Sequence, residues 1–363
     1  MSQLFTPIKI GRQSLDNRLV IPPMCQYSAK DGLPTDWHLM HYGSLSHSGA
    51  GLMIMEATAI CPAGRLSPFD LGLWSDDHQL AMKKLLDSIR QYSPMPIAVQ
   101  LVHAGRKASM SQPWQNFHYV KPADGGWQTV APSAIPVNDN YGTPVALSKN
   151  EIQAIITQFA QSAIYADKAG FDMIEIHAAH GYLLHQFLSP IANQRTDEYG
   201  DSLENRIRIV IEVYQAIRAV LPTHKAVGIR ISATDWIEHG WDLSQSLVLC
   251  QKLAALGCSY IHVSSGGLSD AQQIPVGPNY QVNFAQAIKS HIDIPVIAVG
   301  LITEAIQAEA IVSTGQADMV AVGRGMLYNP HWGWQAAETL QAQVIAPPQY
   351  LCSTPHGVKN LFK

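Results

Sequence analysis

Met173-Ile-Glu-Ile-His-Ala-Ala-His-Gly-Tyr182 opens as a short apolar run and closes on polar residues and a glycine. Such a run, bounded by turn residues, reads as a buried strand. Before it, Glu151–Ala169 places Ile152, Ile155, Ile156, Phe159, Ala163 and Ala166 near one helical face. After it, Leu203–Ala219 repeats the helical pattern and is stopped by Pro222. The unit is therefore strand, polar turn, helix.

The same unit recurs along the chain. Apolar, β-branched runs lie at Arg18–Met24, Gly51–Ile60, Ile97–His103, Met173–His177, Ala226–Ser232, Tyr260–Ser265, Pro295–Gly300 and Met319–Gly323, and a further helix, Leu243–Leu256, ends at Gly257. Near-continuous apolarity marks parallel strands covered on both faces. Eight alternating units predict an α/β fold of one domain over residues 1–363, a (β/α)8 TIM barrel. Leu4–Leu15 predicts a short hairpin that plugs the bottom of the barrel. Ala104–Ser148 and His180–Asn205 predict long loops after the third and fourth strands, on the face where barrels keep their active sites. The tail from Ala346 has no helical pattern.

Composition narrows the function classes. Of 363 residues, 47% are hydrophobic and 14% charged, and the net charge is −4. Without a run of one sign, neither a nucleic acid nor a membrane surface is an expected partner. The N-terminal residues lack the apolar core of a signal peptide, and no stretch is long enough to span a bilayer. The five cysteines, Cys25, Cys61, Cys250, Cys258 and Cys352, match neither a disulfide framework nor a zinc site. A reduced, cytoplasmic enzyme is the expectation.

The polar residues that end the strands carry the chemistry. His177 and His180 are three residues apart and can converge on one ligand atom at the barrel mouth. Neutral imidazoles donate N–H bonds to a carbonyl or oxyanion. Tyr182 is a weak acid suited to protonating a carbanion or enolate. A zinc site at His177 and His180 is an alternative that lacks an obvious third ligand. Gly300 and Gly323 end the last two strands and let backbone N–H groups approach a phosphate, with Arg324 beside them for a bidentate contact. Gln100 and Arg230 are polar residues inside strands. A buried arginine needs an acceptor, either an interior carboxylate or an electron-rich cofactor edge. Pro22-Pro23-Met24-Cys25 gives a fixed backbone bearing soft groups, suited to an aromatic ring. Three functions stay open on these residues: a flavin-dependent reductase, a metal-dependent barrel hydrolase, and a flavin-binding protein without turnover.

The chain resembles the old yellow enzyme family, and within it the bacterial subclass typified by YqjM and xenobiotic reductase A. The resemblance lies in Asn17-Arg-Leu-Val-Ile-Pro-Pro-Met-Cys-Gln-Tyr27, Glu56-Ala-Thr58, Gln100-Leu-Val-His-Ala-Gly-Arg-Lys107, Ile176-His-Ala-Ala-His-Gly-Tyr182, Arg195-Thr-Asp-Glu-Tyr-Gly200 and Val322-Gly-Arg324. It implies FMN held non-covalently at the mouth, NADPH or NADH as hydride donor, and reduction of activated C=C bonds in α,β-unsaturated carbonyl compounds. By position it implies that Pro23, Met24, Cys25, Ala57, Gln100 and Arg230 contact the flavin ring. It assigns the ribityl phosphate to Gly300, Gly323 and Arg324. It further implies that Cys25 tunes the flavin, that His177 and His180 bind the substrate oxygen, that Tyr182 delivers the proton, and that Tyr27 lines the pocket. A homo-oligomer, dimer or tetramer, is the family expectation. In relatives a C-terminal arginine or aromatic residue reaches a neighbouring site. Here the tail holds no arginine, and Tyr350 is the candidate for that place.

Overall fold

The computed structural model describes residues 2–363. An antiparallel hairpin, β1 (Ile8–Ile10) and β2 (Gln13–Leu15), comes first. The strands that follow are β3 (Leu19–Ile21), β4 (Leu52–Ala59), β5 (Ile97–Val102), the short pair β6 (Val130–Ala131) and β7 (Val145–Ala146), β8 (Met173–Ala178), β9 (Ala226–Ser232), β10 (Ile261–Ser264), β11 (Val296–Val299) and β12 (Met319–Ala321). Eight of them close a barrel in the order β3-β4-β5-β8-β9-β10-β11-β12, all neighbours parallel. The expected (β/α)8 barrel is therefore the observed one; six strands end one to three residues earlier than expected, β9 ends at Ser232 as expected, and β8 runs one residue further, to Ala178.

The connecting helices are α1 (Asp36–Leu45), α2 (Asp76–Arg90), α3 (Lys149–Ala169), α4 (Leu183–Leu188), α5 (Leu203–Val220), α6 (Leu243–Ala255), α7 (Val282–Lys289), α8 (Ala305–Ser313), α9 (Arg324–Tyr328) and α10 (Trp332–Thr339). Local chemistry sets their ends. Helix α3 starts in a reciprocal capping box: the Ser148 backbone N–H donates to the Glu151 carboxylate at 2.7 Å, and the Glu151 N–H donates back to Ser148 Oγ at 3.3 Å. It stops at Gly170, whose φ of +98° reverses the chain.

Side-chain alternation along the strands divides the barrel into shells. Outward residues, among them Leu101, Ile174, Ile176, Ile229 and Ile231, join the helices in the main core. Inward residues at the lower end, Ala98, Met173, Ala226, Tyr260, Ile297 and Met319, form a second cluster with Ile10 and Leu15 of the hairpin. The hairpin thus plugs the bottom, as its sequence predicts. Full burial of Ile10 and Leu15 contributes about 1.5–3 kcal/mol each.

Two expectations need correction. The stretch after β8 is not a plain loop, because α4 lies inside it with all six residues buried. A six-residue element buried on every side, with His185 and Gln186 among its leucines, is too short to show a 3.6-residue stripe. The stretch after β5 likewise holds β6 and β7, which pair in parallel through Val130–Val145 and Ala131–Ala146. The Tyr350 ring lies 5.8 Å from that of Trp334 and 6.4 Å from that of His47.

Candidate active site

Further up the same strands the inward residues turn polar: Gln100 on β5, Glu175 and His177 on β8, Arg230 on β9, and His262 and Ser264 on β10. The ladder registers set them side by side, Gln100 beside Glu175, His177 beside Arg230, and Arg230 beside His262.

The strand β8 ends in a tight turn that groups His177, His180 and Tyr182. The His177 ring lies 5.2 Å from that of His180 and 4.8 Å from that of Tyr182. His180 (φ +57°) and Gly181 (φ +74°) are both left-handed, and a Cβ on Gly181 would come within 2.2 Å of the Gly267 carbonyl oxygen. Only glycine fits there. The turn is held from outside: Ser232 Oγ accepts the His180 N–H at 2.9 Å, and Lys107 Nζ donates to the carbonyls of His180 and Gly267, each at 2.9 Å. Behind it, the Gly181 N–H donates to His185 Nδ1 at 2.9 Å, and His185 Nε2 lies 2.8 Å from the buried Asp235 carboxylate.

Electrostatics suit neutral donors. Burial first, then the nearby Arg230 guanidinium, hold both His177 and His180 well below the usual histidine range. Nδ1 of His177 accepts the Ala179 N–H at 3.2 Å, so the ring proton is on Nε2, which faces His180. His180 Nε2 is 2.7 Å from Ser264 Oγ. Gln281 Oε1, 3.3 Å from the same hydroxyl, already accepts from Ser265 Oγ at 2.6 Å, so the Ser264 proton is available to the nearer His180 Nε2; His180 then carries its own proton on Nδ1, and both imidazoles turn an N–H toward one point. Burial raises the Tyr182 phenol well above its ordinary value, with Cys25 and Tyr27 the next causes. Cys25 itself is pushed up by burial and by Asp70 and Glu56.

Tyr27 and Tyr182 share an apolar cluster with Leu66, Ala104, Ala108, Met110, Phe117, Tyr119, Trp127 and Tyr141. Trp114 stands edge-on to Tyr27 at 6.0 Å. This aromatic wall lies beside the histidines.

A cleft of about 290 Å³ opens next to them, lined by Pro23, Met24, Arg230, Ser264, Tyr280, Gln281, Gly300, Gly323 and Arg324, among others. Six residues expected to bind the cofactor therefore converge on one cavity. Cys25, Ala57 and Gln100 are not on its wall; Ala57 is the ladder partner of Gln100 on the neighbouring strand. Arg230 is buried, its Nε has no hydrogen-bond partner, and among the described residues it forms no ion pair. The carboxylate nearest in effect, Glu175, is already engaged by Gln100 at 2.7 Å and His262 at 2.9 Å. An interior ion pair is thus not what occupies Arg230. At Gly300 (φ +127°) a Cβ would sit 2.6 Å from Gln281 Nε2. An orphaned cation and a glycine-lined cradle fit a flat, electron-rich ring with a phosphate tail, as FMN is. Among the described residues no three His, Cys, Asp or Glu side chains are grouped as a metal ion needs.

Sequence reasoning missed Glu175, Ser232, His262, Ser264 and Gln281. Their signal was present in the alternation: Glu175 is two residues before His177, and His262 and Ser264 hold the matching inward positions on β10.

The model of the NADH:flavin oxidoreductase / NADH oxidase family matches residues 3–343. NADPH dehydrogenase of Listeria innocua serovar 6a is 43% identical over 352 residues, 96% of this chain and 98% of the relative. NADPH dehydrogenase of Bacillus subtilis is 40% identical over 350 residues, with the same coverage. Among solved structures, morphinone reductase in complex with tetrahydroNAD superposes with a TM-score of 0.77 at 30% identity, covering 95% of this chain and 93% of that one. No helix of the described residues is long and apolar enough to cross a membrane.

Proposed function

Because the chain belongs to the NADH:flavin oxidoreductase / NADH oxidase family, the FMN-dependent oxidoreductases of the old yellow enzyme type, we propose that it oxidises NADPH and reduces the activated C=C bond of α,β-unsaturated carbonyl compounds. NADPH is favoured over NADH by the name its bacterial relatives carry. The observation that carries the reading is the grouping of two neutral histidines and a protonated tyrosine beside a cleft that fits FMN.

Arg230, Pro23, Met24, Cys25, Ala57 and Gln100 would hold the ring, and Gly300, Gly323 and Arg324 the phosphate. When bound, FMN supplies the hydride chemistry, taking a hydride from the nicotinamide and giving one to the alkene carbon. His177 and His180 donate to the substrate carbonyl oxygen and stabilise the negative charge that develops there. Their depressed pKa values keep them neutral, so they polarise without surrendering a second proton. Tyr182 holds its phenolic proton until the α-carbon of the enolate takes it. Tyr27 and the aromatic wall exclude water and orient the apolar body of the substrate.

Tyr182→Phe tests the assignment. Alkene reduction should slow by about 10²–10⁴-fold, the usual worth of a positioned general acid, while flavin reduction by NADPH stays within a few-fold. Equal losses in both half-reactions would refute the proton-donor role.

A further inference from the structure

We propose that Glu175, held by His262, is a positioning residue for the cofactor. It fixes the side-chain amide of Gln100 with its oxygen, rather than its nitrogen, turned toward the flavin-binding mouth. The proposal rests on the flavin reading of that mouth.

Gln100 Nε2 donates to Glu175 Oε1 at 2.7 Å, and His262 Nδ1 donates to Glu175 Oε2 at 2.9 Å. Exposure is 1% for Gln100 and 0% for Glu175 and His262, so no solvent competes for these bonds. An ionised carboxylate only accepts. An amide flipped by half a turn would set two oxygens against each other at the same 2.7 Å. The carboxylate therefore dictates which end of the amide faces away from it. Without that lock, donor and acceptor ends are nearly isosteric, and rotation would exchange them.

Backbone register makes the arrangement possible. Gln100 and Glu175 are ladder partners on β5 and β8. The next strand, β9, puts Gly228 opposite Glu175, where a Cβ would come within 2.2 Å of the Tyr260 ring, and the carboxylate spans β9 to meet His262 on β10. His262 is itself held below the usual histidine range, chiefly by burial and then by Arg230. Its Nδ1 carries the proton toward the carboxylate, and its Nε2 is left without a partner. Glu175 also counts first among the charges that sustain the Arg230 cation against burial. One carboxylate therefore sets an acceptor and offsets a cation in the same polar layer. The flavin ring carries an imide N–H, the kind of donor an oriented amide oxygen suits.

The holoenzyme provides the test. In Glu175→Gln the dissociation constant of FMN should rise about tenfold, the worth of one lost hydrogen bond, and the flavin midpoint potential should shift positive as a negative charge is removed. A purely structural carboxylate would lower the melting temperature and leave affinity and potential unchanged, and that result overturns the proposal. A double-mutant cycle with Gln100→Ala separates the routes. If Glu175 acts through Gln100, its substitution adds no further loss of FMN affinity in the Gln100→Ala background; additive losses overturn the proposal. Should Glu175→Gln fail to fold, His262→Leu should weaken FMN while His262→Gln, which keeps a donor, holds within about twofold. Equal effects from the two overturn it. Wild-type protein that binds no FMN would refute the flavin reading itself, a result distinct from unchanged affinity in the variants.

Discussion

At the bottom of the barrel the inward side chains are Ala98, Met173, Ala226, Tyr260, Ile297 and Met319, sealed by Ile10 and Leu15. Two or four residues further along β5, β8, β9 and β10 they are Gln100, Glu175, His177, Arg230, His262 and Ser264. Both layers are buried, yet burial acts on them in opposite directions. In the lower layer it removes apolar surface from water and stabilises the fold. In the upper layer it strips charge and polarity of solvent, depresses the histidines and leaves Arg230 Nε unpartnered. The lower layer holds the barrel closed, and the upper layer keeps unsatisfied polar groups ready for a ligand.

Paired substitutions can break this comparison. The largest effect is expected from the upper layer: His177→Ala or His180→Ala should slow alkene reduction by about 10²–10³-fold, as loss of an oxyanion donor does. Stopped-flow measurement of enone reduction reads the loss, and a denaturant melt should show a change in stability below about 1 kcal/mol. A large stability loss would mean that the upper layer also supports the fold. In the lower layer, Ile297→Ala should cost about 2–5 kcal/mol of unfolding free energy and leave both half-reactions intact at temperatures where the protein stays folded. Loss of rate without loss of stability would reverse the assignment.

A smaller effect sharpens the account of the histidines. Ser264→Ala removes the hydroxyl 2.7 Å from His180 Nε2. Phenol binding, which mimics the enolate oxygen, should weaken by about tenfold, since the ring is then free to hold its proton on either nitrogen. Unchanged affinity would show that Ser264 does not set the tautomer.

The smallest effect is the pH dependence of stability. His103 is pushed down to about 4 by burial, and His177 and His180 are also lowered. The unfolded chain therefore binds more protons than the folded one below the ordinary histidine value, and stability is lost as pH falls from about 6.5 toward 4. Burial raises Asp70 to about 6 and Glu56 to about 8. Their contribution has the opposite sign and is lost as pH rises through those values. The melting temperature of the holoenzyme should peak near pH 6.5, between the two trends. A melting temperature that climbs steadily from pH 6 to 8 would contradict it.

Much of this was legible in the sequence. Eight apolar runs with helices between them gave the barrel, because parallel strands are covered on both faces. Residues at strand ends, His177, His180, Tyr182, Gly300 and Gly323, were legible because a strand end is a place that pattern reveals. Glu175 and His262 were not, because a polar residue inside an apolar run shows its partner only once register is known. Neither was α4, whose six residues Leu183–Leu188 are all buried and too few to show a helical stripe, nor the place of Tyr350, which depends on packing against His331 and Trp334.

On this reading the upper layer holds FMN and the protein reduces enones. An anaerobic titration of the purified protein tests it most directly. The purified protein should be yellow, and its flavin band should bleach with NADPH and return stoichiometrically on addition of 2-cyclohexen-1-one. A band that bleaches and does not return with the enone, or a protein without a flavin band, would contradict it.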